Sequence, residues 1–153
     1  MRVWFFFLFG MGQVAFPFAK LRAQEWGDEG PTRVVVHVYK IRGLTPLYHT
    51  GVVVDGREYY FNSSNSVKVI EPRKISGMKF HREMVRNSPK SKEDIAQILE
   101  ETVEKWNDQN YHLVRKNCNF FTNDLLRALG LPEIDKEYLN AGGLRSFTAC
   151  IVP

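Results

Sequence analysis

The chain is poor in the residues that build covalent or metal-bound frameworks. Its 153 residues include two cysteines, Cys118 and Cys150, and four histidines, at 37, 49, 81 and 112. Two cysteines are too few for a disulfide framework. Without a Cys-x-x-Cys pair, neither a zinc ribbon nor a thioredoxin-type redox motif is available. No two histidines have the His-Glu-x-x-His spacing of a helical zinc site. The sequence therefore calls for no metal and no cofactor. It also lacks an RNA-binding aromatic motif, a zinc finger and a recognition helix, so a net charge of +4 does not imply nucleic acid. Two unpaired thiols suit a reducing compartment, the cytoplasm or nucleus.

Long apolar runs are equally scarce. The one candidate is residues 1–18, MRVWFFFLFGMGQVAFPF. It is short for a membrane span and is interrupted by Gly10, Gly12, Gln13 and Pro17. Arg2 before an apolar stretch resembles a signal peptide, but the small residues expected at a cleavage site are badly placed. Three readings stand: a leader without fixed structure, a signal or membrane-associating segment, or a packed arm. A secretory or membrane route through residues 1–18 thus stays open. Residues 20–33 are polar, with Gly27, Gly30 and Pro31, and read as a linker. The expected division is residues 1–32 as apolar segment and linker, and residues 33–153 as the folded domain.

Hydrophobic residues make up 44% and charged residues 25%, ordinary for one globular domain with a core. Residues 33–40 (RVVVHVYK) and 48–55 (YHTGVVVD) read as strands. Asp55-Gly56 is a hairpin signal returning into 57–61 (REYYF). Residues 62–66 (NSSNS) read as a polar loop and 67–70 as a short strand. The basic stretch 73–92 reads as irregular and solvated. Ser91 opens the clearest helix, 91–107, with Ile95, Ile98, Leu99, Thr102, Val103 and Trp106 on one face. Residues 111–114 read as extended. A second helix over 119–129 carries Phe121, Leu125, Leu126 and Leu129, and stops at Gly130 before Pro132. A short last helix is expected within 134–141.

Chemistry concentrates at Asn117-Cys118-Asn119. This places Cys118 at a helix start, where unpaired N–H groups and the helix dipole favour a thiolate, as would a nearby imidazolium. Such N–H groups can also stabilise the oxyanion formed when a thiolate attacks a carbonyl. Asn117 or Asn119 can add a side-chain donor, and the sequence does not choose between them. The plain alternative is that Cys118 is a small buried hydrophobe. Its two polar neighbours argue against that, whereas Cys150, among Phe147, Ala149, Ile151 and Val152, reads as structural. Composition does not rank the four histidines, although the hairpin gives His49 the most rigid mounting.

The segments VVVHVYK, LYHTGVVVDGREYYF and YHLVRKNCNFFTNDLLRALG, in this order, resemble the PPPDE family of permuted papain-fold peptidases, which includes desumoylating isopeptidases. The resemblance runs from about Arg33 to Pro132, and the interval from His49 to Cys118 fits it. It implies an α+β fold, a small antiparallel sheet packed with helices, with the base preceding the nucleophile in the chain. It implies Cys118 as nucleophile and His49 as general base, with no third residue asserted. The implied activity is removal of ubiquitin or a SUMO-type modifier from lysine, with modifier conjugates as partners. Two departures bear on substrate choice: NSSNS replaces a glycine-rich loop, and Phe120 stands where relatives often carry His. The alternatives are a thioesterase or acyltransferase on S-acyl or lipid substrates, and a silent modifier-binding domain.

Overall fold

Valines set the sheet. In β1 (Thr32–Ile41), Val34, Val36 and Val38 face one way into the core, and Val35, His37 and Tyr39 face the other. The computed structural model describes residues 31–41, 47–107 and 109–139. The expected leader, most of the linker and Cys150 lie outside them. β1 pairs antiparallel with β2 (Tyr48–Val54), which turns through Asp55-Gly56 into β3 (Arg57–Asn62). Both turn residues have positive φ, 48° and 67°, as this hairpin type requires. Residues 62–66 form a second tight reversal, into β4 (Ser66–Ile70). There Asn62 Oδ1 accepts from the Ser64 N–H and hydroxyl.

β5 (Met78–Ser88) corrects the expectation of an irregular stretch over 73–92. It pairs antiparallel with β1 from Thr32↔Ser88 to Ile41↔Met78. Charge disguised it. Lys79, Arg82 and Glu83 occupy exposed positions of an edge strand, where charge also discourages pairing with another chain. Met84 and Ser88 are buried. A register shift at Val38/Tyr39 leaves His81 without a partner on β1. The sheet order is β4-β3-β2-β1-β5, with every neighbouring pair antiparallel.

The helices cover one face of this sheet. α1 (Lys92–Asn107) begins at Ser91, whose hydroxyl accepts the Asp94 N–H at 3.0 Å, and buries Ile95, Leu99, Thr102, Val103 and Trp106. α2 (Cys118–Ala128) buries Phe121, Leu125 and Leu126 completely. Each such side chain contributes about 1.5–3 kcal/mol of burial. Trp106 meets Phe61 of β3 and Phe121 of α2 edge-on, with ring centroids 5.0 and 5.6 Å away. α3 (Lys136–Leu139) is one turn, and Tyr138 on it packs into the same core. The fold is α+β, as expected, with three helices and five strands among the described residues. No described helix is long and apolar enough to cross a membrane.

Candidate active site

Cys118 is the first residue of α2, and the segment before it fixes where the sulfur sits. Residues 111–114 are not extended, contrary to the sequence reading. His112 and Lys116 exchange backbone hydrogen bonds of 2.8 Å in both directions, and the intervening residues form a tight turn. The His112 ring stabilises that turn by accepting from the Val114 and Arg115 N–H groups at Nδ1. An apolar run alone does not reveal a turn held by its own imidazole. Asn117 then caps the helix: Oδ1 accepts from the Asn119 and Phe120 N–H groups, and Nδ2 donates to the Leu113 carbonyl at 2.6 Å.

The helix start docks where two strands part. β2 pairs with β3 only over Val52–Val54, so the same edge of β2 is bare at residues 48–51. The N-terminus of α2 fills that gap. Asn119 Nδ2 donates to the Tyr48 carbonyl at 3.3 Å, and the Thr50 N–H is directed at the Cys118 sulfur. The Thr50 hydroxyl lies 2.9 Å from both Asn119 Oδ1 and Thr122 Oγ1. Thr50 therefore faces α2, and strand alternation turns His49 to the other face. There its ring meets Tyr60 at 5.2 Å and Tyr39 at 6.1 Å between centroids. Cys118 thus sits against the edge of β2 beside Thr50, the chain neighbour of His49, while the His49 ring lies on the opposite face of the strand. No hydrogen bond joins them. The thiol donates to Asn119 Oδ1 at 3.5 Å, and His49 Nε2 is buried with no partner.

Burial decides the charge state of both groups. It pushes the Cys118 thiol up to about 11, against N–H groups of Thr50, Asn119 and Cys118 itself that favour the thiolate. It pushes His49 down to about 4, against the carboxylate of Glu58, which favours the imidazolium. The helix start was expected to lower the thiol; burial instead raises it, because Cys118 is only 3% exposed and desolvation outweighs the dipole. At neutral pH the site holds a thiol and a neutral imidazole, an acid and a base without charge.

The two asparagines have defined places. Both amide hydrogens of Asn119 are committed to carbonyls, to Tyr48 and to Tyr138 at 2.6 Å. This side chain ties β2, α2 and α3 together. Asn117 spends its oxygen on the cap. The donors facing the sulfur are main-chain N–H groups. Asn117→Ala is expected to cost about 1–2 kcal/mol in urea denaturation. Asn117→Ser, which can cap but cannot reach Leu113, should fall between alanine and wild type.

A cavity of about 20 Å³ opens beside the sulfur, lined by Cys118 and Asn119 with apolar walls from Ile41, Leu47 and Leu113. It has room for one water, or two at most. His49 is not part of its lining, and His81 and His112 are both exposed. Sequence reasoning missed Thr50, Tyr138, Tyr39 and Glu58. Among the described residues no cluster of His, Cys, Asp or Glu could hold a metal ion.

A family model described as "PPPDE putative peptidase domain" matches residues 28–152. A DeSI-like protein of Arabidopsis thaliana is 26% identical, over 86% of this chain and 65% of the relative. A DeSI-like protein of Schizosaccharomyces pombe is 32% identical, over 60% of this chain and 54% of the relative. The chain thus spans less than two thirds of each of these curated relatives.

Proposed function

We propose, from the premise that this chain belongs to the PPPDE peptidase family, that it is a thiol isopeptidase acting on a ubiquitin-like modifier of the SUMO type linked to lysine. The observation that carries the proposal is the seat of Cys118, a buried thiol at the first residue of α2 docked against Thr50 of β2, whose chain neighbour His49 has a buried nitrogen with no partner. His49 Nε2 accepts the thiol proton as the sulfur attacks the isopeptide carbonyl. The Cys118 and Thr50 N–H groups, which unlike that of Asn119 are not taken by the helix cap, receive the developing oxyanion. The imidazolium then protonates the lysine nitrogen, the C–N bond breaks, and a thioester remains on Cys118. Water activated by His49 hydrolyses it. A neutral starting pair suits this order, because proton transfer accompanies attack.

The narrowness of the cavity beside Cys118 supports an acyl group ending in glycines, which bring no side chain to clash with its walls. The DeSI-like names of two relatives agree with a modifier substrate. The apolar walls of the cavity favour one alternative, a thioesterase acting on S-acyl groups. The full chain is incubated with SUMO-type and ubiquitin conjugates, with the same modifiers carrying a C-terminal electrophile, and with an S-acyl probe. The expected result is cleavage of a modifier conjugate and an adduct on Cys118. Acyl release with no modifier adduct would assign the thioesterase reading. Modifier binding with no turnover of any substrate would leave a binding domain.

A further inference from the structure

The sheet face away from the helices carries a buried charge that the proposed chemistry has not used. Glu58 is fully buried, in a strand whose core-facing neighbours are Tyr59 and Phe61. Its oxygens accept the Tyr39 hydroxyl at 2.7 and 2.9 Å and the Arg73 N–H at 2.8 Å, and lie 3.1 Å from His37 Nδ1. Gly51 is built for it. A Cβ there would stand 2.5 Å from Glu58 Oε1, so the carboxylate lies directly over that glycine. Gly51 is two residues from His49 on the same face of β2, the next position along the row. Tyr39 bridges the two: its hydroxyl holds Glu58 and its ring packs on His49.

We infer that Glu58 is a positioning residue for His49, a fixed negative charge that stabilises the imidazolium formed when Cys118 gives up its proton. The inference rests on the dyad reading above. It needs no direct hydrogen bond, because a buried carboxylate acts through space in a low-dielectric environment. Glu58 stays ionised. Burial works against that, but the hydrogen bonds from His37, Tyr39 and the Arg73 N–H outweigh it and hold the carboxyl below its usual range.

The other groups near His49 do not supply this charge. Tyr39 and Tyr60 are held in the neutral form, both raised by burial and by Glu58. The Arg73 guanidinium is turned outward, stacked on Phe80 and paired with Glu83 at 2.6 Å. Glu83 lies 3.9 Å from His37 Nε2 and is partly exposed. Cys118 is a thiol in the resting state.

The test is Glu58→Gln in the full chain, which keeps the shape and removes the charge. Two readouts are followed: the pH profile of kcat/KM on a cleaved conjugate, and the His49 ring titration by NMR in a Cys118→Ala background. The His49 signal is assigned by its loss in His49→Gln. The expected result is a fall of about tenfold in the plateau rate, the equivalent of one pKa unit, with the His49 titration moved to lower pH. Should Glu58→Gln not fold, Gly51→Ala is read the same way, since it keeps the charge but forces it off its seat. A rate loss that only tracks unfolded protein, with the titration unmoved, would overturn the role of Glu58. If instead His49→Gln leaves wild-type turnover intact, the dyad itself fails, whatever Glu58 does.

Discussion

Cys118→Ser is expected to abolish turnover, by a factor on the order of 10³ or more, in a protein that still folds. Serine keeps the size of the side chain and its donor for Asn119 Oδ1. What it loses is an atom acidic and nucleophilic enough to attack with a neutral imidazole as the only base. The competing view makes Cys118 a small buried hydrophobe, which its 3% exposure would by itself allow. The two views separate on one measurement. If the cysteine only packs, activity in Cys118→Ser follows the folded fraction measured by circular dichroism, and Cys118→Ala costs about 1 kcal/mol with little else. If it is the nucleophile, the folded fraction stays high in both variants and turnover is lost in both. Conjugate cleavage above about a hundredth of wild type in a fully folded serine variant would remove Cys118 from the chemistry.

The sequence was most legible where local rules agreed with the tertiary context. The Asp55-Gly56 hairpin, the Ser91 cap and the Gly130 stop lie where turn and capping chemistry put them. β5 was hidden because an edge strand next to β1 needs only Met84 and Ser88 inside and can carry charge elsewhere. Cys118 could be found from its polar neighbours and helix start. Its charge state could not, since that depends on how deeply the helix start sinks into the gap left by β3. Glu58 was illegible for a related reason. In REYYF, strand alternation places it away from the helices, which ordinarily means solvent. Here the segment between β4 and β5 supplies the Arg73 N–H to that face, while Tyr39 and His37 close around the carboxylate. Only contacts distant in sequence make that position interior.

Stability should fall steeply on acidification between pH 6.5 and 4, and His49 should be a large part of the reason. Its ordinary value is 6.5, and in the folded protein it is lowered to about 4 by burial, despite the opposing pull of Glu58. The folded value lies below the unfolded one. The contribution of neutral His49 is therefore fully present above pH 6.5 and is lost as pH falls through the folded value. Within that window the unfolded chain binds a proton that the folded one excludes, so each pH unit costs up to about 1.4 kcal/mol and the whole window about 3 kcal/mol. Cys118 sets the opposite limit. Its folded value is raised from 9.0 to about 11, so its contribution is present below pH 9 and is lost as pH rises toward 11. The protein is expected to be most stable between these limits. Urea denaturation at half-unit steps from pH 4.5 to 7.5, on wild type and His49→Gln, isolates the histidine. The wild-type curve should drop through this range, and the variant should lose most of that slope even if it is less stable at pH 7. Parallel curves would mean that burial does not lower His49, and a wild-type curve that gains stability relative to the variant on acidification would mean that His49 is already protonated when folded. A histidine charged at neutral pH could not take the proton from Cys118, so the same titration that measures stability also decides whether the site can start from an uncharged pair.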